Sequence, residues 1–235
     1  MKILRQTIRQ LIKESLCDQA NDKIKGAIDI LERDGLEVIL TNPVHWFKKG
    51  MSRDMNIYIY PKGEFETDPI GNAAVGEFNA EKANGECLDA FITSWTNVSP
   101  PYRGKGIGAL LYDIAIELSG KHGIASDREE VSSDALKNWN YMKRQRWDIK
   151  KRPLDNQWGT YTPDDDWDDC GDTSWLAYED DIPFDNSDWP PRPLWEEIPE
   201  NVFQNHSLNN VYNKINRSMP TVSCLKEKGL IRWVR

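Results

Sequence analysis

The sequence predicts an α/β protein in which a mostly antiparallel sheet is flanked by helices. Runs with strand-like alternation lie between residues 36 and 95, and Asn84-Gly85 is a typical hairpin turn between two of them. A glycine-rich turn then leads into a helix whose apolar residues recur three and four positions apart. Hydrophobic residues make up 39% of the 235 residues, which is enough for a packed core.

Helices and strands are assigned in order from apolar spacing, capping residues and turn residues. Helices are predicted over residues 2–16, 18–33, 106–122, 132–147 and 205–217. Strands are predicted over residues 36–40, 56–60, 73–78, 87–95, 124–126 and 229–234. The first helix has a basic polar face, so it either docks on the body or touches a membrane or a partner.

The distribution of charged residues and of Trp along the sequence divides the chain into three parts. The net charge is −8, yet residues 163–200 alone contain fourteen acids and one base, which leaves the rest of the chain basic. Five of the ten Trp lie within residues 158–195, whereas disordered acidic tails are poor in aromatic residues. We therefore expect an N-terminal helix (1–17), a central domain (18–154) and an acidic, Trp-rich extension (155–235) packed on that domain.

Several classes of protein are disfavoured by composition. A pI near 5 argues against strong nonspecific binding to nucleic acid. The four cysteines are far apart without a C-x-x-C pair, and the acids after Asp164 do not follow calcium-loop spacing, so no metal is expected. No apolar run is long enough to cross a membrane, and no secretory signal is present. The expected setting is a reducing cytoplasm.

The most informative segment is Arg103-Gly104-Lys105-Gly106-Ile107-Gly108-Ala109 at a strand-to-helix turn. The first backbone N–H groups of a helix have no partner within it and carry partial positive charge. Glycines allow a phosphate to approach that backbone closely, and two cationic side chains add charge at the same point. The segment therefore indicates a phosphate site, although the glycines could instead serve only to shape the turn.

Two well-known phosphate motifs fit this segment less well. A P-loop is excluded because Gly106 stands where Ser or Thr would follow the lysine, and Ser99 replaces the first glycine. The dinucleotide fingerprint matches Gly104, Gly106 and Ala109, and Asp127 lies about where a ribose-binding acid would stand. That fingerprint, however, normally opens a series of βαβ units, whereas here it follows an antiparallel meander.

The segment resembles the acetyl-CoA site of the GNAT N-acetyltransferases. The family motif [QR]-x-x-G-x-[GA] matches Arg103 to Gly108, and Val98-Ser99-Pro100 fits the strand end before it; the resemblance covers about Gly26 to Trp147. It implies a twisted sheet that splays at the glycine turn, with acetyl-CoA as acyl donor. The residues that it assigns to the cofactor are Val98, Arg103, Gly104, Lys105, Gly106, Ile107, Gly108, Ala109 and Ser132.

The resemblance is weaker at the catalytic positions. The family often carries its general acid in an N-x-x-A-x-x-x-Y helix; alignment on Ala135 puts Ser132 at the Asn and Trp139 at the Tyr. Tyr141, two residues on, is therefore the candidate acid. The family's general base is often a Glu before the turn, at the position of Ile92 here, and Asp89, Glu77 and Glu86 are the nearby candidates.

The resemblance implies acetyl transfer to a primary amine, either on a protein or on a small molecule. One alternative is a non-catalytic GNAT-like protein of a tailed bacteriophage, acting in the virion or on a host protein. The N-terminal helix resembles leaders of phage proteins, and Ile12-Lys13-Glu14-Ser15 resembles a head-protease cleavage site. A third possibility is a nucleobase-modifying transferase. The acidic segment could recruit a cationic substrate, remain solvated or mimic nucleic acid.

Overall fold

The structure is a computed structural model that describes residues 17–41, 55–64, 67–77, 90–126, 131–153, 207–208, 210–215 and 219–234. The helices are α1 (Asp22–Arg33), α2 (Ile107–Ser119), α3 (Ser133–Gln145) and α4 (Pro220–Glu227). The strands are β1 (Leu36–Thr41), β2 (Met55–Pro61), β3 (Gly71–Glu77), β4 (Phe91–Val98), β5 (Ile124–Ser126), β6 (Ile149–Pro153), β7 (Asn210–Lys214) and β8 (Ile231–Val234).

The eight strands form one mixed sheet in the order β6-β7-β5-β4-β3-β2-β1-β8. Strands β1 to β4 pair antiparallel with their neighbours in sequence, as the alternating runs predicted. β4 and β5 pair parallel, so α2 forms the crossover between them. β7 pairs antiparallel with both β5 and β6, and β8 lies parallel beside β1. The prediction of a mostly antiparallel sheet flanked by helices is confirmed.

One cluster of buried side chains holds this architecture together. It combines residues of all four helices with alternate residues of the strands. In β2, for example, Met55, Ile57 and Ile59 are buried, while the residues between them are half-buried on the other face. α1 follows the same logic, because its buried residues recur at helical spacing as Ile24, Ala27, Ile28 and Leu31. Each large buried side chain contributes about 1.5–3 kcal/mol to folding.

Most predicted elements are present, but the predicted helix over 205–217 is wrong. Within it Asn210–Lys214 forms strand β7, which lies between β5 and β6. Val211 and Tyr212 are good strand formers, and sheet pairing on both sides outweighs a weak helical pattern. Strand β6 and helix α4 were not predicted. The N-terminal helix, the Asn84-Gly85 turn and the acidic Trp-rich segment lie outside the described residues.

A disulfide joins Cys17 to Cys224 across the fold. Their Cα atoms are 4.9 Å apart despite a sequence separation of 207, and Cys224 is buried on α4. Disulfides persist mainly in oxidising compartments, so this pair disagrees with the reduced thiols expected from cysteine spacing. Spacing along the chain could not reveal the pair, because the fold alone brings the two residues together. Within the described residues no helix is long and apolar enough to cross a membrane.

We expect reduction of the Cys17–Cys224 bond to destabilise the protein by about 2–5 kcal/mol, because it releases a very long closed loop in the unfolded chain. Urea unfolding with and without dithiothreitol measures the difference. The Cys17→Ser variant is the control, since its stability should not respond to the reductant. Equal stability of the oxidised and reduced wild type would contradict this expectation.

Helix α2 carries a buried network of charged groups in its second half. Asp113 is fully buried and accepts hydrogen bonds from Arg146 Nη2 at 2.5 Å and Thr221 Oγ1 at 2.5 Å. Lys214 Nζ lies 3.0 Å from an Asp113 oxygen and 2.8 Å from Asp148 Oδ2. Burial would lower the pKa of Lys214, but the carboxylates around it hold that pKa above its usual value.

Glu117, one turn after Asp113, caps helix α4. Its two carboxylate oxygens accept the backbone N–H groups of Thr221 at 3.0 Å and Val222 at 2.9 Å, which are orphan donors of the first helical turn. Burial raises the pKa of Glu117 to about 7, and the charge of Asp113 adds to this increase. Lys214 and the two N–H groups oppose it.

We expect stability to fall between about pH 5 and pH 8 because of Glu117. Its pKa is about 7 when folded and about 4.3 when unfolded, so the folded state binds more protons in this window. The stabilising contribution is complete below the unfolded pKa and lost as pH rises through the folded value. Urea unfolding at both pH values should show a smaller loss in Glu117→Gln, which does not titrate; an equal loss would assign the dependence to other groups.

Candidate functional site

The segment between β4 and α2 folds as a short 3₁₀ turn followed by a glycine turn. Pro100–Tyr102 forms the 3₁₀ turn, in which the Tyr102 N–H donates to Ser99 O at 2.9 Å. Gly106 is the N-cap of α2 in a left-handed conformation, with φ of 85°. The first bond of the helix runs from Leu110 N–H to Gly106 O at 2.9 Å. The N–H groups of residues 107–109 therefore have no hydrogen-bond acceptor within the helix.

Backbone conformation or close packing explains why glycine occurs at each of the three positions. Gly104 has φ of 74° and faces open space. Gly106 combines its positive φ with close packing, because a Cβ there would lie 3.0 Å from Lys23 O of α1. A Cβ on Gly108 would lie 3.2 Å from Asn138 Nδ2 of α3. The number of glycines is thus explained by backbone shape and helix packing, and by itself it does not indicate a ligand.

We expect Gly106→Ala to cost more stability than Gly104→Ala. Both substitutions place a side chain at positive φ, which costs about 1–2 kcal/mol. Only Gly106→Ala also presses a Cβ against a backbone carbonyl, which adds about 1–3 kcal/mol of overpacking. Urea unfolding of the matched pair measures the difference, and equal losses would mean that α1 does not pack on the turn.

Positive charge is concentrated at the start of α2. Arg103 and Lys105 are exposed, and no side chain of the described residues caps the helix. Arg103 Nε donates to Val98 O at 2.9 Å, which fixes the guanidinium beside the end of β4. Asp34 interacts electrostatically with Lys105, and Asp134 with Arg103, but each acid has a closer partner. Asp34 pairs with Arg33 at 2.7 Å and Asp134 with Lys137 at 2.8 Å. The helix dipole and these cations together favour the binding of an anion at the start of α2.

The sheet opens beside this turn. β4 pairs with β5 only over Phe91 to Thr93 and then continues to Val98 without a β5 partner among the described residues. The register with β3 passes from Trp95–Ala74 to Thr93–Val75, so Ser94 is an extra residue in β4. Such a bulge bends a strand and increases its twist. Trp95, just after the bulge, is 60% exposed.

Helix α3 places its aromatic residues in two different environments. Trp139 is 1% exposed and packs between Tyr112 of α2 and Tyr212 of β7, with ring centroids 4.9 and 5.4 Å away. Tyr141 instead donates its hydroxyl to Asn21 Oδ1 at 2.5 Å. That oxygen also accepts Lys23 N–H at 3.0 Å and so caps α1. Burial raises the pKa of Tyr141 above its usual value.

The predicted cofactor residues cluster around the start of α2. Val98 ends β4, and the segment from Arg103 to Ala109 forms the turn and the first residues of α2. Ser132 caps α3, and Asp134 in the first turn of α3 interacts electrostatically with Arg103. The carbonyl of Val98, predicted to orient a thioester, accepts the Arg103 side chain.

The predicted catalytic residues are more dispersed. Tyr141 binds the N-terminus of α1, as described above. Glu77 ends β3 opposite Phe91, about 23 Å along β4 from Val98. The side chain of Glu77, and the whole of Asp89 and Glu86, lie outside the described residues. The role of these groups in proton transfer therefore stays a prediction.

Sequence reasoning missed two residues that border the turn. Lys23 packs its backbone against Gly106 and places Nζ 4.1 Å from the ring centroid of Tyr141. Asn138 places its amide beside Gly108 and donates to Asp134 O at 3.3 Å. No local pattern marks either residue, because both contacts join helices that are distant in sequence.

Comparison of the chain with protein-family models, with curated proteins and with solved structures finds no match.

Proposed function

We propose that the protein is an acetyl-CoA-dependent N-acetyltransferase of the GNAT type. One observation carries the proposal: α2 begins where β4 extends beyond β5, no side chain of the described segments caps it, and Arg103 and Lys105 flank that start. The antiparallel meander, the parallel β4–β5 pair and the crossover helix between them are compatible with that fold family. A helix start of this kind is suited to the diphosphate of CoA.

The residues present fit this cofactor. The N–H groups of Ile107, Gly108 and Ala109 would face the pyrophosphate, and Arg103 and Lys105 would neutralise its charge. Gly104 leaves open space on the approach, since a Cβ there would meet nothing within 4 Å. Because Arg103 already binds the Val98 carbonyl, the strand backbone before Val98 is the part of β4 available to the pantetheine arm.

Acetyl-CoA supplies an activated acyl group, which an amine takes up as the new C–N bond replaces the C–S bond and a proton moves from nitrogen to sulfur. This chain must therefore place a proton donor near the thiolate or admit water there. Trp139 cannot serve, because its indole is buried between two tyrosines. Tyr141 is the candidate: a tyrosine hydroxyl is protonated at neutral pH, and burial raises the pKa of Tyr141 further.

A second candidate function is a GNAT-like protein that binds without catalysis. The burial of Trp139 at the position of the family's acid favours it, as does the hydrogen bond that holds the Tyr141 hydroxyl on Asn21. In that case the fold would present a binding surface, and acetyl-CoA would either be retained without turnover or not bind.

We expect acetyl-CoA to bind saturably in calorimetric titration and Lys105→Gln to weaken binding about tenfold, because one charge-assisted contact to phosphate is lost. Lys25→Gln is the matched control, since Lys25 is a lysine of α1 that pairs with Asp18 and Asp22. Absence of binding by the wild type at millimolar acetyl-CoA would overturn the proposal. Binding without transfer to any amine in a panel of lysine peptides and small amines would favour the non-catalytic function.

A further inference from the structure

A cleft of about 200 Å³ lies at the opposite end of α2 from the glycine turn. It is lined by the end of α2 and by strands β6 and β7, and its polar lining consists of Glu117, Lys121, Lys150, Arg152, Asn213 and Lys214. Because α2 has thirteen residues that each rise about 1.5 Å, the cleft is about 20 Å from the start of the helix. It is therefore separate from the proposed acetyl-CoA site.

Side chains that line this cleft bind the backbone just after α2. Asn213 Nδ2 donates to Gly120 O at 3.2 Å and to Lys121 O at 2.9 Å. Arg152 Nη2 donates to His122 O at 3.1 Å. These three carbonyl oxygens, which would repel an anion, therefore each have a donor from the protein itself.

Three cations at the rim have no acidic partner in the part of the chain that the structure describes. Lys121 follows α2, whereas Lys150 and Arg152 lie two apart on β6 and so share one face of that strand. The acids deeper in the wall are engaged elsewhere, because Glu117 caps α4 and pairs with the buried Lys214 at 3.4 Å. Among the described residues, the rim therefore carries positive charge without a paired acid over a concave surface.

Lysines on an edge strand also serve to prevent pairing with other sheets, and β6 is at the edge of the sheet that the described residues form. That role explains the basic residues on β6. It does not explain why Lys121, which follows α2, lines the same cleft as Lys150 and Arg152. Lys151, between the two rim residues, faces the other way and interacts electrostatically with Lys143 of α3. It does not line the cleft, and it provides a natural comparison for Lys150.

We propose that this cleft binds a small molecule with a phosphoryl group, held by Lys121, Lys150 and Arg152. The volume equals that of about six or seven water molecules, which suits a phosphate with a short polar substituent. Arginine matches the geometry of phosphate oxygens with two parallel N–H donors, and lysine adds point charge. The site is independent of acetyl transfer.

The test is titration of the full chain with glycerol 3-phosphate, followed by amide NMR shifts. We expect saturable shifts at residues 120–122, 150–152 and 213–215, and an affinity at least fivefold weaker in Lys150→Gln. Lys151→Gln should bind as the wild type does, because its side chain faces away from the cleft. Inorganic phosphate is the second probe: weaker binding than that of glycerol 3-phosphate assigns the site to an organic phosphate, and equal binding assigns it to the free anion.

Any of three results would overturn this proposal. The first is that neither probe shifts the cleft residues at tens of millimolar. The second is that Lys150→Gln and Lys151→Gln weaken binding equally, which would indicate a diffuse surface charge. Shifts confined to residues 103–109 would assign phosphate binding to the glycine turn alone, which would also contradict a second site. Acetyl-CoA binding is unaffected by these outcomes, so the two proposals fail separately.

Discussion

The structure depends on the burial of α2, because this helix crosses from β4 to β5 and is enclosed on nearly every side. A helix enclosed in this way would ordinarily be apolar all round, yet α2 carries Asp113 and Glu117 in its second half. Buried carboxylates are tolerated only when cations and N–H donors surround them. Arg146, Lys214 and the first turn of α4 supply those groups, so distant parts of the chain must fold onto α2.

This requirement makes the end of the chain part of the same fold. β7 brings Lys214 to α2, α4 rests its N-terminus on Glu117, and β8 extends the sheet beside β1. The Cys17–Cys224 disulfide and the ion pair between Lys228 and Glu32 tie α4 and the turn after it to the N-terminal part. With its second half held in this way, α2 presents its other end at the opening between β4 and β5, where its first N–H groups have no partner among the described residues.

Local sequence patterns predicted the helices and strands whose buried residues recur at regular spacing. They failed where contacts between distant parts of the chain determine the secondary structure. The strands of the meander and the helix after the glycine turn follow from alternation and apolar spacing. β7 was predicted as a helix because Asn210 to Lys214 has no strong alternation, and only its two neighbours in the sheet make it a strand. The glycine turn itself was predicted, whereas Lys23 and Asn138 beside it were not, because helix packing alone brings them there.

We have proposed that the start of α2 and the part of β4 that extends beyond β5 form one cofactor site, and hydrogen exchange measured by mass spectrometry is a direct test. With saturating acetyl-CoA, we expect slower exchange in peptides covering residues 95–109, since the amides of the turn and the strand edge would gain partners. The peptide covering β2 is the internal control, because its backbone is already paired on both sides. Unchanged exchange over 95–109, or protection only at the far end of α2, would contradict the account.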